Sequence, residues 1–262
     1  LPHLHQGPSM VLPVFMGVSV CPSDGHSVES LLLKADAALH RMKQLGSHGY
    51  QFFAQEMAQT ITHRFDIEHG LRLALERQEL FLQYQAQVLT ADGTVGGCEA
   101  LLRWRRGSEI VPPGVFIPIA EMSSLIVPIT EWVLRQACRD LRAWDAHGVR
   151  VHALSVNISA KHFLSEKMVP SLLQILEEEQ VSPGRICLEI TEGALADPEH
   201  CERKLAELKQ AGFSLSIDDF GTGFSSLSYL KRFRLDELKI DRSFVKGIDG
   251  DSGDRAIVAA TL

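Results

Sequence analysis

Acidic, amide and ammonium side chains recur in this chain at one kind of place, the end of a short apolar run. Asp218 and Asp219 close the run S-L-S-I-D-D and open into F-G-T-G-F. Glu99 leads E-A-L-L-R-W, Asn157 lies in S-V-N-I-S, Glu189 in L-E-I-T-E, and Lys239 and Asp241 in L-K-I-D. Two adjacent aspartates at the end of an apolar strand are costly to hold together unless a cation neutralises them. Gly221 and Gly223 let the backbone turn sharply and approach a ligand closely. Carboxylate and amide oxygens are hard donors that suit Mg²⁺ or Mn²⁺ and not zinc. Several carboxylates can hold two such ions about 3.5–4 Å apart, which suits in-line attack of water on a phosphodiester.

A competing reading is a set of interior ion pairs. Arg103, Lys239 and Arg242 then stand against Glu99, Glu189, Asp218, Asp219 and Asp241, and negative charge is left uncompensated. Two roles are open to Lys239. A Schiff-base lysine needs a depressed pKa. Surrounding carboxylates push it up, so a charged Lys239 holding the attacking water or a phosphate oxygen is the better expectation.

The elements that must position these groups alternate regularly. Expected strands are Leu80–Leu89, Gly97–Trp104, Ala153–Ser159, Ile186–Thr191, Phe213–Asp219 and Glu237–Asp241. Expected helices are Pro113–Ala120, Ile129–His147, Lys167–Gln180, Pro198–Ala211 and Ser225–Phe233. Such alternation argues for a parallel sheet, and a βα unit every 20 to 30 residues is the period of a TIM-type barrel. Strands covered on both faces should be apolar on both. Here Ser155 and Asn157 alternate with Leu154 and Val156, and Glu189 with Leu188 and Ile190. One face of each strand thus carries polar groups that would point into a barrel near its C-terminal mouth, where barrel enzymes place their chemistry.

The fold class expected is therefore α/β, a TIM-type (β/α) barrel over 80–262 that ends before its last two strands. An α+β fragment over 1–53 and a helical connector over 54–79 precede it. In the fragment, Val14–Val20 and Tyr50–Phe53 read as strands around a helix from Val28 to Leu45. The chain starts at Leu1 and stops at Leu262 inside a helical pattern, so it reads as a piece of a longer protein. With two strands missing it is expected to have little activity by itself.

A formal net charge of −7 argues against general DNA binding. It leaves room for a small anion, because bound divalent cations reverse the local sign. The five cysteines are far apart with no CxxC pair, as in a reducing cytosol, so a cytoplasmic location is expected. No apolar run reaches the ~18 residues that a membrane span needs, so no span is expected within this segment, and a parent protein could be anchored through a segment before Leu1.

The motifs in this order and spacing are specific. With P-P-G-V-F-I-P-I-A-E at 112–121, E-A-L-L-R-W at 99–104, V-N-I-S at 156–159, L-E-I-T-E at 188–192, D-D-F-G-T-G-F-S-S-L at 218–227 and L-K-I-D-R-S-F-V at 238–245, the chain from about residue 60 resembles an EAL domain. That family comprises barrel phosphodiesterases of the bacterial second messenger cyclic di-GMP. K-A-D-A-A-L-H-R-M-K at 34–43 resembles the last part of a GGDEF domain, without the G-G-D-E-F string itself. The resemblance implies hydrolysis of cyclic di-GMP to pGpG, an antiparallel first barrel strand and a homodimer formed through the barrel. It implies Glu99, Asn157, Glu189 and Asp218 as ligands of Mg²⁺ or Mn²⁺, with Asp219 at a second ion. Lys239 would act with Glu99 and Asp218 in catalysis. Gln85, Leu101, Arg103 and Asp241 would surround the dinucleotide. Glu192, Gly221 and Gly223 would support the loop after Asp219. Tyr84–Ala86 reads Y-Q-A where the family has Y-Q-P. A receptor that binds cyclic di-GMP without cutting it, or an interaction module, is the alternative.

Overall fold

A computed structural model describes residues 14–44, 49–195, 197–221 and 232–261. Its contacts divide the chain into two units, with the boundary between His69 and Gly70.

In the first unit, strands β1 (Phe15–Val18) and β2 (Gly49–Phe52) pair in parallel and are joined by helix α1 (Val28–Gln44). Parallel neighbours require such a crossover. Helix α1 turns Ala37, Ala38 and Met42 inward, and a Cβ on Gly17 would collide with its backbone at Ala35 and Leu39. The strand can lie this close only because residue 17 is glycine. Helix α2 (Gln55–Ala74) follows and stops short of the expected residue 79.

In the second unit, β3 (Leu80–Val88) and β4 (Val95–Arg106) form an antiparallel pair. From β4 the sheet continues in parallel through β6 (Ala153–Ile158), β7 (Ile186–Thr191), β8 (Ser214–Phe220) and β9 (Glu237–Ile240). This is the strand order of a TIM-type barrel with a reversed first strand. A short β5 (Glu109–Val111) folds back on β4 through Gly107, whose φ is +62°. Helices α3 (Pro113–Met122), α4 (Ile126–Ala146), α5 (Ala160–Phe163), α6 (Met168–Glu178) and α7 (Pro198–Gln210) connect the strands, and α8 (Arg242–Gly247) and α9 (Ser252–Thr261) follow β9. The outward residues Leu154, Val156, Ile158, Leu188, Ile190, Leu215 and Ile217 are buried, as a covered parallel sheet requires. No helix among the described residues is long and apolar enough to cross a membrane.

Three departures from the expected elements have local causes. Helix α4 starts at Ile126, not Ile129, because Pro128 lies in the first turn, where a missing N–H costs nothing. Strand β6 stops before Ser159, whose Oγ accepts from His162 N at 3.2 Å and caps the unexpected α5. Strand β9 stops before Asp241, whose Oδ1 accepts from Ser243 N at 2.8 Å and caps α8. The expected helix Ser225–Phe233 lies almost wholly outside the described residues.

Asp236 clamps β8 to the start of β9. Its Oδ2 accepts from Leu215 N at 2.7 Å, its N donates to Leu215 O at 2.9 Å, and Lys209 Nζ lies 2.7 and 2.8 Å from its two oxygens. Replacing it by alanine removes an acceptor of charge-assisted bonds, so Asp236→Ala is expected to lower stability by about 1.5–3 kcal/mol. Asp236→Asn keeps an acceptor for Leu215 N and should lose less. Denaturant midpoints of the three proteins test this; equal losses in both variants would assign the effect to the Lys209 pair alone.

Candidate active site

Strand register gathers the sequence-expected residues on one face. Gln85 lies opposite Glu99, Glu99 beside Ser155, Asn157 beside Glu189, and Glu189 beside Ser216. Residues two apart in a strand share a face, so Leu101, Arg103, Asp218 and Lys239 belong to this face too. The site is thus assembled from one face of six strands, and no single segment carries it.

Lys239 sits where the acids meet. Its Nζ is 2.7 Å from Glu189 Oε2, 2.9 Å from Glu99 Oε2 and 3.6 Å from Asp218 Oδ2. Asn157 Nδ2 donates to Glu99 Oε1 at 2.8 Å, so Glu99 is held from both sides. Burial works against the charge on Lys239, but hydrogen bonds and attraction from Glu189 and Glu99, with Asp218 beyond, outweigh it and raise its pKa. An ammonium held this firmly cannot serve as a Schiff-base amine at neutral pH. Burial also works against the charge on Glu99, yet the bonds from Lys239 and Asn157 win and lower its pKa. For Glu189, whose side chain is 0% exposed, burial wins over Lys239 and pushes the carboxyl up to about 7.

The Asp218–Asp219 pair owes its placement to a β-bulge. Ile217 pairs with Leu238 and Phe220 with Ile240, so two residues of β8 face the single Lys239 of β9. Asp219 takes a left-handed φ of +54°, uncommon for a residue other than glycine. In a regular strand neighbours point to opposite faces; the extra residue relaxes that rule. Burial first, then Asp218 and Asp241, raise the Asp219 pKa. Glu192 follows β7 in a 3-10 turn over Glu192–Leu195 and is buried, and its Oε2 accepts from Gly221 N at 2.9 Å. Gly221 has φ +100°, and a Cβ there would lie 2.7 Å from the Phe244 ring. Gly223 lies outside the described residues.

Arg103 is part-buried, and its Nε donates to Gln83 Oε1 at 2.8 Å. Gln85 is exposed on the same face, Leu101 part-buried. Asp241 spends Oδ1 on the α8 cap, which lowers its pKa through the bonds from Ser243. No motif marks Gln83, Ser155, Ser216 or Asp236. Only the period-two pattern of Gln83, Gln85 and Gln87 hinted at a polar face on β3.

Among the described residues no three His, Cys, Asp or Glu side chains are gathered as a metal cage. The acids converge on Lys239 instead. The donor chemistry nevertheless fits a hard divalent cation. Glu189 Oε1 is buried without a hydrogen-bond partner, and a buried carboxylate oxygen without a partner is costly. Three acids around one lysine leave negative charge over, and a cation would favour the ionised form of Glu189.

The chain is similar to known proteins in sequence and in fold. The chain is 42% identical over 249 residues to the bifunctional diguanylate cyclase/cyclic di-GMP phosphodiesterase MucR of Pseudomonas aeruginosa, a match covering 94% of this chain and 36% of that protein. It is 39% identical over 258 residues to the cyclic di-GMP phosphodiesterase NbdA of the same organism, covering 98% of this chain and 33% of that protein. The chain thus spans about a third of the length of these relatives. Among solved structures, the P. aeruginosa MucR phosphodiesterase in complex with c-di-GMP superposes with a TM-score of 0.71 at 44% identity, over 74% of this chain and 80% of that one. The EAL enzyme Bd1971 with cAMP and cyclic di-GMP bound gives 0.73 at 33% identity, over 91% and 63%. The family model of the EAL domain matches residues 68–262, and with the acids and lysine of that segment on one sheet face, the chain belongs to the EAL-domain family.

Proposed function

We propose that this chain carries the catalytic part of a cyclic di-GMP phosphodiesterase, hydrolysing the cyclic dinucleotide to linear pGpG in bacterial signalling. The observation that carries the reading is the convergence of Glu99, Glu189 and Asp218, from three strands, around the ammonium of Lys239. The names of MucR and NbdA, and the c-di-GMP bound to the MucR phosphodiesterase, support it.

In this reading Glu99, Asn157, Glu189 and Asp218 hold Mg²⁺ or Mn²⁺, and Asp219 serves a second ion. When bound, such ions supply Lewis-acid charge and an activated water for in-line attack at phosphorus. Lys239, kept protonated by its acids, orients the water or stabilises a phosphate oxygen. Asn157 keeps Glu99 from swinging away. Arg103, Gln85, Leu101 and Asp241 bind and orient the dinucleotide. Glu192 holds the backbone at Gly221, and Gly223 follows two residues later in the sequence. A homodimer through the barrel and a cytoplasmic location of this segment complete the proposal.

The first unit is read as the closing part of a GGDEF domain. Its βαβ arrangement supports this, as does the match to MucR, which covers 94% of the chain and so extends ahead of residue 68. Residues 54–79 are read as the connector into the barrel.

Turnover in the full-length protein is expected to need Mg²⁺ or Mn²⁺ and to vanish in excess chelator. Glu99→Ala should lower kcat at least about a hundredfold, since it removes both a ligand and a partner of Lys239. Tight cyclic di-GMP binding with no hydrolysis at any metal concentration would instead mark a receptor.

Glu192→Ala is expected to lower kcat about tenfold or more by freeing the Gly221 backbone, while Glu192→Gln, which keeps an acceptor oxygen, recovers most of it. Metal titration by calorimetry should give both variants the wild-type affinity. A loss of metal binding in Glu192→Gln would make Glu192 a ligand.

A further inference from the structure

Strand β3 presents Gln83, Gln85 and Gln87 on the site face, opposite Leu101, Glu99 and Gly97 of β4. Because β3 runs against the other strands, the earlier residue lies nearer the mouth. The three amides are engaged differently. At the deep end Gln87 Nε2 donates to Ser155 Oγ at 3.3 Å. In the middle Gln85 is exposed beside Glu99. At the mouth Gln83 Oε1 accepts from Arg103 Nε at 2.8 Å.

The last bond fixes more than one atom. A guanidinium is planar and carries five N–H donors in a rigid fork. Arg103 spends one on Gln83 through Nε and one on the Leu102 carbonyl through Nη1, at 2.9 Å. Two anchors on different nitrogens set the plane of the group. Three donors on Nη1 and Nη2 remain for an acceptor outside the protein, the bidentate edge that suits a phosphate. Without Gln83, a long side chain anchored only to its neighbouring carbonyl would sample other rotamers.

We propose that Gln83 is a positioning residue for substrate recognition, holding the Nε edge of Arg103 so that its Nη edge receives a phosphate of cyclic di-GMP. The proposal rests on the reading of Arg103 as a substrate contact. Gln83 itself need not touch the dinucleotide, since its oxygen is already committed to Arg103. Its effect therefore falls on KM and passes wholly through Arg103.

The test is steady-state hydrolysis of cyclic di-GMP with Mg²⁺ by the full-length protein and four variants: Gln83→Ala, Gln83→Met, Arg103→Ala and the double Gln83→Ala/Arg103→Ala. Methionine keeps the volume and removes the acceptor. Both Gln83 variants are expected to raise KM about three- to tenfold, with kcat within about twofold of wild type. Arg103→Ala should raise KM further, and the double variant should match Arg103→Ala alone. A wild-type KM for Gln83→Met would overturn the proposal, because the hydrogen bond would then be dispensable. So would a double variant whose KM effect is the product of the two single effects. If Arg103→Ala leaves KM unchanged, the substrate role of Arg103 is wrong and the proposal falls with it, while metal-dependent hydrolysis by the remaining residues stands.

Discussion

Lys239 Nζ lies within 4 Å of three carboxylates that come from β4, β7 and β8. Much of the second unit answers to that contact. A fully buried acid such as Glu189 is costly unless a cation compensates it. A lysine anchored to acids on three other strands holds those strands in one register. Glu99 and Lys239 are 140 residues apart in sequence, so the contact closes a long loop whose entropy cost is met only when the intervening strands are in place. The site and the sheet therefore form together: until β9 docks, the acids on β4, β7 and β8 have no shared partner.

Around this centre, further side chains do necessary work on the backbone. Ser159 and Asp241 end strands by capping helices, which frees the chain to turn away at the mouth. Asp236 closes the entry to β9 through Leu215 and Lys209. Glu192 reaches from the turn after β7 to the backbone after β8. Asp236 thus ties β8 and β9 where they begin, and Glu192 ties the ends of β7 and β8 at the mouth.

Most of the fold was legible in the sequence because strands of a covered sheet must be apolar on their outer face, and a polar residue that breaks the run then stands out. Glu99, Asn157, Glu189 and Lys239 could be named on that ground, and register joins them on one face. What stayed hidden depended on geometry that composition does not encode. Strand β5 is three residues long and follows R-R-G-S, which reads as loop. The first turn of α4 holds Pro128, which in sequence looks like a helix breaker but sits where proline is tolerated. The role of Gln83 required knowing that Arg103 lies diagonally across an antiparallel pair. The bulge at Asp218–Asp219 left no local mark, since both residues are aspartate.

That bulge has a consequence for how the site can change. Because one extra residue in β8 faces β9, the acidic pair and the segment beyond it are offset from the rest of the strand. Substitutions at 218 or 219 change one acidic side chain each. Loss of a residue there is a different kind of event: it would restore regular alternation, move Phe220 off its buried side and draw Gly221 away from Glu192. The number of residues between Ile217 and Phe220 is therefore constrained as strictly as their identity. A member of this fold with a shortened β8 would have to find another way to bring two acids to one place.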